Sequence, residues 1–220
     1  MYGNLSRSAG PTSYPRLLIA ENNFSTVKSL VRTFRDERLL DVAFDVCTSP
    51  RGAVRRLLAD PYQLLISGVH LAEMDDFLLL TRTQALETFV PLVITASALE
   101  KESARQVLQQ GAFDLITTPL DHEQTVSTIS LALWHNKLTT LIASRDKALE
   151  RYQRHITKFP GNRRGEAFRT IQKSIEESIA AHERTIDRIE TNVNCFADLA
   201  KNVESQARER ALERLDVPSK

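Results

Sequence analysis

The positions of glycine and proline constrain this chain more than any other feature of its sequence. Seven glycines and eight prolines occur in 220 residues. None lies between Pro119 and Pro160, and none lies between Gly165 and Pro218. Because these residue types commonly end helices, the two uninterrupted stretches predict two long helices joined by a turn at 159–165. In the first half, glycine and proline instead separate short segments.

Those short segments alternate between two apolar patterns. Compact or alternating apolar runs typical of strands occur at 16–20, 41–47, 64–66, 91–95 and 113–116. Between the runs, apolar residues recur at helical spacing, as at Val27, Leu30, Val31 and Phe34. Alternating strands and helices predict an α/β fold with a five-stranded parallel, doubly wound sheet. A ligand crevice is expected at the carboxyl ends of the strands.

Local signals predict where several helices begin. Ser25 is a plausible N-cap of the first helix, and Ser49-Pro50 is typical of a helix start. Asp75 and Asp76 are placed in a loop that leads into a helix near 77–83. Asp121 and Gln124 have the spacing of a capping box for the last helix of the α/β region.

Composition excludes several classes of protein. Hydrophobic residues make up 42% and charged residues 26%, which is ordinary for a globular protein. Cys47 and Cys195 form no CxxC pair, which argues against a disulfide scaffold or a cysteine-rich zinc site. Residues 124–220 carry 17 basic and 13 acidic residues, too mild a surplus to indicate a nucleic-acid surface. With no apolar signal segment in residues 1–15, a cytoplasmic protein is expected.

Three segments in the α/β region carry a family resemblance. They are LIAENN at 18–23, LLISGVHLAEMDDF at 64–77 and GAFDLITTP at 111–119. The second is similar to a family pattern that reads like LLISDVHLPDMDGF, and the third to GADDYLTKP. On these motifs residues 16–135 resemble a receiver domain of the two-component response-regulator family. The resemblance implies a flavodoxin-like sheet and a role in phosphorelay signalling.

The site residues that the resemblance implies are largely replaced. Family receivers bind Mg²⁺ through an acidic pair and accept a phosphoryl group on an aspartate that ends the third strand. Here the acidic pair becomes Glu21 and Asn22, and the phosphoacceptor position becomes Gly68. The hydroxyl position is retained as Thr95, and the lysine position becomes Thr118.

These replacements predict a vestigial pocket without catalysis, cofactor or metal. Gly68 has no nucleophile, Glu21 is the one acid retained of three, and no lysine balances phosphoryl charge. Two alternatives remain open. A shift of one place would put Ser67 at the acceptor position, and Asp75 or Asp76 could substitute for the missing aspartate.

The C-terminal part carries an apolar heptad pattern. Its residues, called the seam below, are Ile179, His182, Ile186, Ile189, Val193, Phe196 and Val203. The stretch from 166 to 215 would form a helix about 75 Å long, against about 36 Å for 135–158. Part of the second helix would therefore be left unpaired by the first. Its seam must meet the receiver-like domain, another protein or a second copy, and a homodimer is the most economical of these.

The expected organisation is a flexible arm at 1–15, a receiver-like domain at 16–135 and a helical hairpin or coiled coil at 136–220. The favoured function is an adaptor or regulator that works through protein–protein binding and dimerisation. A nucleic-acid-binding antiterminator of the ANTAR type is the alternative, although an unbroken last helix and the lack of a basic cluster argue against it. A phosphotransfer role for His182, in the motif AHERT, is a third possibility. No membrane association is expected.

Overall fold

The computed structural model describes residues 14–36, 42–86, 89–158, 166–192 and 199–216. Its centre is one parallel five-stranded sheet in the order β2-β1-β3-β4-β5, which confirms the predicted fold class. The strands are β1 (Arg16–Ala20), β2 (Ala43–Cys47), β3 (Leu64–Gly68), β4 (Leu92–Ser97) and β5 (Asp114–Thr118). Residues 1–13 of the predicted arm lie outside the described part of the chain.

Seven α-helices lie within the described ranges. They are α1 (Phe24–Asp36), α2 (Pro50–Ala59), α3 (Val69–Gln84), α4 (Lys101–Gln109), α5 (His122–Lys158), α6 (Glu166–Asn192) and α7 (Leu199–Asp216). A short 3-10 turn at Ala98–Glu100 precedes α4. None of the described helices combines the length and the apolar character needed to cross a membrane.

The sheet is buried on both faces, as a doubly wound sheet requires. Leu18 and Leu65 belong to a core shared with α2, α3 and α4, whereas Leu17 and Leu64 belong to a core shared with α1 and α5. Successive side chains of a strand point to opposite faces, so adjacent leucines supply different cores. Because the apolar runs fill the interior of the sheet, the polar residues that follow them lie at the ends of the strands.

Two helix starts differ from the prediction, and one agrees with it. Asn23, rather than Ser25, caps α1, because its Oδ1 accepts hydrogen bonds from the amide and hydroxyl of Ser25. Ser49 caps α2 as expected. The predicted loop containing Asp75 and Asp76 is wrong: α3 begins directly after Gly68 and includes both positions, whose side chains lie outside the described residues.

One long helix crosses the predicted domain boundary between 135 and 136, as the uninterrupted stretch between Pro119 and Pro160 predicts. Helix α5 runs from His122 to Lys158 without a break, since neither glycine nor proline occurs within it. Helix α6 packs against α5, as expected for a hairpin. The last helix of the receiver-like domain thus continues directly into the C-terminal part of the chain.

The predicted helix from 166 to 215 is described in two parts, α6 and α7, and residues 193–198 between them lie outside the described residues. Helix α7 packs against α4, β5 and α5 of the receiver-like domain. For this part of the chain, the receiver-like domain therefore covers the apolar face.

Candidate functional site

The carboxyl edge of the sheet brings three of the predicted pocket residues together. Gly68 ends β3, and its Cα lies beside that of Thr95 on β4. Glu21 directly follows β1, the other neighbour of β3. All three therefore lie at the crevice predicted from the strand order.

Glu21 is buried and has a hydrogen-bond donor on each carboxylate oxygen. Its Oε1 accepts from the amides of Asn22 and Asn23, both at 2.9 Å. Its Oε2 accepts from the Thr95 hydroxyl at 2.8 Å. Because burying a charged group is costly without such bonds, these three donors explain how the carboxylate is tolerated with 6% of its surface exposed. They also fix its position in the pocket.

The Glu21 carboxylate fills the space where a side chain at position 68 would begin. A Cβ built on Gly68 would lie 2.8 Å from Oε2 and 2.9 Å from Oε1 of Glu21. Contacts under 3.0 Å would force Glu21 to move, and its three hydrogen bonds oppose that movement. The glycine is required here by this close approach, since its φ of −57° is available to any residue.

The residues present do not fit the Mg²⁺ site of the family. Gly68 supplies no ligand, and the oxygens of Glu21 already accept hydrogen bonds within the protein. Mg²⁺ prefers an octahedral shell of hard oxygens. Within the described ranges, no group of three or more histidine, cysteine, aspartate or glutamate residues is placed to hold a metal ion.

The other two pocket residues have different surroundings. Asn22 is exposed, and its described bond to Glu21 is made by its backbone amide. Thr118 ends β5 beside Ser97 of β4, two positions beyond the Thr95 level. Both Thr118 and Ser97 line a cavity of about 160 Å³, together with Ala96, Ala98, Lys101, Thr117, Arg214 and Leu215. Neither Gly68 nor Glu21 lines it.

Two polar residues stand near the carboxyl edge without having been predicted. His70 lies two residues after Gly68, and its Nε2 is 2.6 Å from Oε1 of Glu100. Glu100 also accepts a hydrogen bond from the Ser97 amide and completes a capping box with that residue. Partial burial acts to raise the pKa of Glu100, but the Ser97 hydrogen bonds and His70 prevail and hold that pKa below its ordinary value.

A second buried carboxylate, Asp114, lies at the amino end of β5 and has a partner from the C-terminal helix. Asp114 begins β5, and the Arg214 guanidinium on α7 donates to its Oδ1. Its other donors are the Leu115 amide at 2.7 Å and the Thr128 hydroxyl at 3.2 Å. Burial raises the pKa of Asp114, although Arg214 and the hydrogen bonds act in the opposite direction.

Sequence reasoning missed this pair for a simple reason. Asp114 occupies a motif position that is itself ordinary for the family, and Arg214 is 100 residues away in a helix with many other charges. No spacing rule connects residues so far apart. The sequence signal for a buried face of α7 is an apolar residue at every fourth position, at Ala207, Ala211 and Leu215.

The seam residues are divided between two surroundings. Ile179 and His182 are half-buried on α6, and the His182 ring nitrogen Nδ1 is 2.6 Å from the Ser178 carbonyl oxygen. Val203 is partly buried and packs against the core on the α1 and α5 face of the sheet, which is one of the three partners that the heptad pattern left open for the seam. The side chains of Ile186, Ile189, Val193 and Phe196 lie outside the described residues.

Comparisons with known proteins agree with this fold. The chain is 30% identical over 90 residues to the transcriptional regulatory protein ZraR of Escherichia coli K12, a match that covers 41% of this chain and 20% of ZraR. It is 28% identical over 102 residues to the DNA-binding transcriptional regulator NtrC of the same strain, covering 45% of this chain and 22% of NtrC. The chain therefore spans about a fifth of these relatives. No protein-family model matches the chain.

A solved structure shows the same architecture. The signal receiver domain of a putative Luxo repressor protein from Vibrio parahaemolyticus superposes with a TM-score of 0.51 at 21% identity, covering 59% of this chain and 97% of that domain. Over less than half of its length this chain is thus similar in sequence to the transcriptional regulators ZraR and NtrC, and its α/β domain has the fold of a signal receiver domain.

Proposed function

We propose that this protein is an atypical, cytoplasmic receiver-family signalling protein that acts as an adaptor or regulator without aspartyl phosphorylation. Its output is protein–protein binding and not catalysis. One observation carries the proposal: the carboxylate of Glu21 occupies the space beside Gly68 and is held there by Thr95. The hydroxyl position and the remaining acid of the pocket thus bind each other.

The chemistry of phosphoryl transfer supports this assignment. Transfer requires a nucleophile, a metal ion and cationic groups that balance the charge of the phosphoryl oxygens. Gly68 provides no nucleophile, and Thr118 stands where the resemblance places a lysine. Ser67, the one-place alternative, is fully buried, and its hydroxyl donates to the Gly68 carbonyl oxygen at 3.1 Å. No base is described beside it.

Treatment with acetyl phosphate and Mg²⁺ tests the proposal. Intact-mass spectrometry is expected to show no stoichiometric phosphate adduct on the parent protein. A receiver domain that retains its aspartate, treated in parallel, provides the positive control. A base-labile adduct on the parent would overturn the proposal.

The same structure refines how phosphorylation could be rebuilt. The variant Gly68→Asp alone places a second carboxylate against Glu21, so it is expected to remain inactive. Combining it with Glu21→Asp, Asn22→Asp and Thr118→Lys shortens the obstructing side chain and restores the charges that the family uses. Uptake by the combined variant and not by Gly68→Asp would indicate that the position of Glu21 is decisive.

The dimer belongs to this proposal as well. Helix α6 carries the middle of the seam, and its neighbour α5 is the helix that continues out of the receiver domain. Two copies joined through α6 would hold two receiver domains at a fixed separation. The substitution Ile189→Asp is expected to convert a dimer to a monomer in light scattering while circular dichroism is retained. A parent protein that is monomeric at tens of micromolar would refute the dimer.

Nucleic-acid binding has less support. Two arginines of α7 are engaged by the receiver domain: Arg214 with Asp114, and Arg208 with the Ala112 carbonyl oxygen. NtrC is a DNA-binding transcriptional regulator, but this chain matches 22% of its length. A gel shift at two salt concentrations is expected to show no complex.

A further inference from the structure

A cavity of about 160 Å³ lies between the carboxyl ends of β4 and β5 and the last turn of α7. Three of the residues that line it carry a hydroxyl group: Ser97, Thr117 and Thr118. Two others, Lys101 and Arg214, are cations, and none of the lining residues is a carboxylate. Because no acid in the lining balances its positive charge, the cavity favours an anion.

The positive charge comes from two separate parts of the chain. Lys101 is the first residue of α4, a helix of nine residues. Ala98, in the turn that leads into α4, also lines the cavity, so the amino end of the helix adds its partial positive charge to the wall. Arg214 reaches the cavity from α7 and has 28% of its side-chain surface exposed. Partial removal from water strengthens the attraction between such charges and an anion.

Arg214 has more donors than its bonds within the protein use. One Nη2 hydrogen is donated to Asp114, and Nε donates to the Arg210 carbonyl oxygen at 3.2 Å. A guanidinium carries five N–H groups in a planar fork that suits an oxyanion. Arg214 can therefore keep its ion pair and bind an anion at the same time.

The three hydroxyl groups differ in what they already bind. The Thr117 hydroxyl donates to Oε1 of Gln124 at 3.1 Å, and Ser97 forms a capping box with Glu100. Within the described ranges, no hydrogen bond joins the Thr118 side chain to another residue. Thr118 is therefore the hydroxyl that can donate to a ligand.

The cavity is separate from the vestigial pocket. None of Gly68, Glu21 and Thr95 lines it. In the vestigial pocket the Glu21 carboxylate would repel an anion, whereas the cavity has no acid in its lining. Arg214 also lies outside residues 16–135, so the cavity requires the C-terminal part of this chain.

We propose that this cavity binds a small tetrahedral oxyanion, either inorganic phosphate or the phosphate group of a small ester. Lys101 and Arg214 balance its charge, and the Thr118 hydroxyl donates a hydrogen bond. At about 30 Å³ for each water molecule, the cavity has the volume of roughly five waters, which suits one phosphate group. The inference goes beyond the adaptor role, since it adds a non-covalent ligand that needs neither an acceptor at Gly68 nor a metal ion.

Occupancy of the cavity is expected to strengthen the packing of α7. Arg214 and Leu215 line it from α7, and the other lining residues belong to β4, β5 and the start of α4. An anion bound between them stabilises the state in which α7 is packed, by an amount that grows with ligand concentration. The ligand would thus regulate how firmly the C-terminal helix is held.

Calorimetric titration of the full chain with inorganic phosphate tests the proposal, without Mg²⁺ and at constant ionic strength. Saturable binding is expected for the parent. Lys101→Met is expected to weaken that binding at least about tenfold, because a charge-assisted hydrogen bond is lost. Lys137→Met removes the same charge from an exposed position on α5 and is expected to match the parent.

The hydroxyl is tested by a pair of variants. Thr118→Val keeps the shape of the side chain without its donor and is expected to weaken binding about three- to tenfold, whereas Thr118→Ser should retain most of the affinity. Glycerol 3-phosphate is titrated in parallel. Tighter binding of that ester would assign the site to an ester, and tighter binding of phosphate would assign it to the free ion. No saturable binding of either anion to the parent, or equal losses in Lys101→Met and Lys137→Met, would overturn the site.

Hydrogen exchange provides a second measurement that needs no variant. With saturating phosphate, amides of 199–216 are expected to exchange more slowly than in chloride of equal ionic strength, and by a larger factor than those of β1. Unaltered exchange in α7 would contradict a ligand that joins α7 to the domain. Neither measurement depends on covalent phosphorylation, so failure of this inference is distinguishable from failure of the proposed function.

Discussion

Two carboxylates are buried close to the sheet, and they are stabilised by partners of different kinds. Glu21 accepts hydrogen bonds from the two residues that follow it and from Thr95 of a strand in the same domain. Asp114 accepts two hydrogen bonds from its own domain but receives its cation from α7, 100 residues away. The donors to Glu21 all lie within the α/β domain. The cation beside Asp114 lies on a separate helix, α7.

The difference separates a fixed feature from an adjustable one. The donors to Glu21 belong to the loop after β1 and to β4, so they are supplied by the α/β domain itself. The ion pair of Asp114 instead requires that α7 is packed against the domain. The following substitutions test that distinction.

The largest effect is expected at Gly68. The substitution Gly68→Asp puts a Cβ within 3 Å of the Glu21 carboxylate oxygens and adds a second carboxylate to the same buried pocket. The free energy of unfolding is expected to fall by about 3 kcal/mol or more, through repulsion and desolvation. Gly68→Asn is the matched uncharged control. In urea denaturation the excess cost of aspartate over asparagine is expected to shrink as the pH falls, because protonation removes the repulsion; an excess that is independent of pH would contradict this reading.

Loss of the cation at Asp114 is expected to have the next largest effect. Arg214→Met retains much of the arginine stem but leaves Asp114 without its charged partner, which is expected to cost about 1–3 kcal/mol. Arg210→Met, on the exposed face of α7, is the control and is expected to change stability little. Burial raises the pKa of Asp114, so the folded state binds the proton more tightly than the unfolded state. The cost of Arg214→Met should therefore decrease as the pH falls toward 3.8. Equal losses for the two arginines would contradict the ion-pair interpretation.

A smaller effect isolates the steric part of the Glu21 site. Gly68→Ala is expected to cost about 1–2 kcal/mol, because Glu21 must move away from its donors. In an Glu21→Ala background the same substitution should cost almost nothing, whereas in Glu21→Gln, which keeps the side-chain length, most of the cost should remain. Additive effects in both backgrounds, measured by thermal or urea unfolding, would show that Glu21 is not the obstacle.

The smallest effect is expected at Glu100. Its lowered pKa means that the ionised side chain stabilises the folded state above pH 4.5, and that this contribution is lost as the pH falls through the lowered value. Glu100→Gln is expected to cost about 0.5–1 kcal/mol near neutral pH and nothing in strong acid. His70→Gln should reproduce part of this loss. A pH-independent difference between Glu100→Gln and the parent would be inconsistent with an ionic contribution.

Much of the fold could be predicted because each strand has a local apolar pattern in the sequence. The run RLLIA at 16–20 coincides with β1, and the four other predicted strands overlap the observed ones within a few residues. Polar residues at the strand ends then fix the chemistry of the crevice, because a parallel sheet places all carboxyl ends at one edge. The absence of a carboxylate at Gly68 could be predicted for the same reason, because it depends only on which residue ends the third strand.

The C-terminal helices show the limit of that reasoning. A heptad pattern predicts that a helix has an apolar face, but it does not identify what covers the face. The sequence left the receiver domain, a second copy and another protein as candidates, and for α7 the structure has the receiver domain. The contact of Val203 with the core could not be predicted, because packing between segments depends on their positions in space.

What the sequence determined by itself is the sheet, the alternation of its layers and the long helix α5, since these follow from local periodicity and residue type. Tertiary structure decided that Glu21 fills the space at Gly68 and that Arg214 meets Asp114. The physical reason is that burial and ion pairing depend on distances through space, and chain folding brings together groups as far apart as positions 114 and 214.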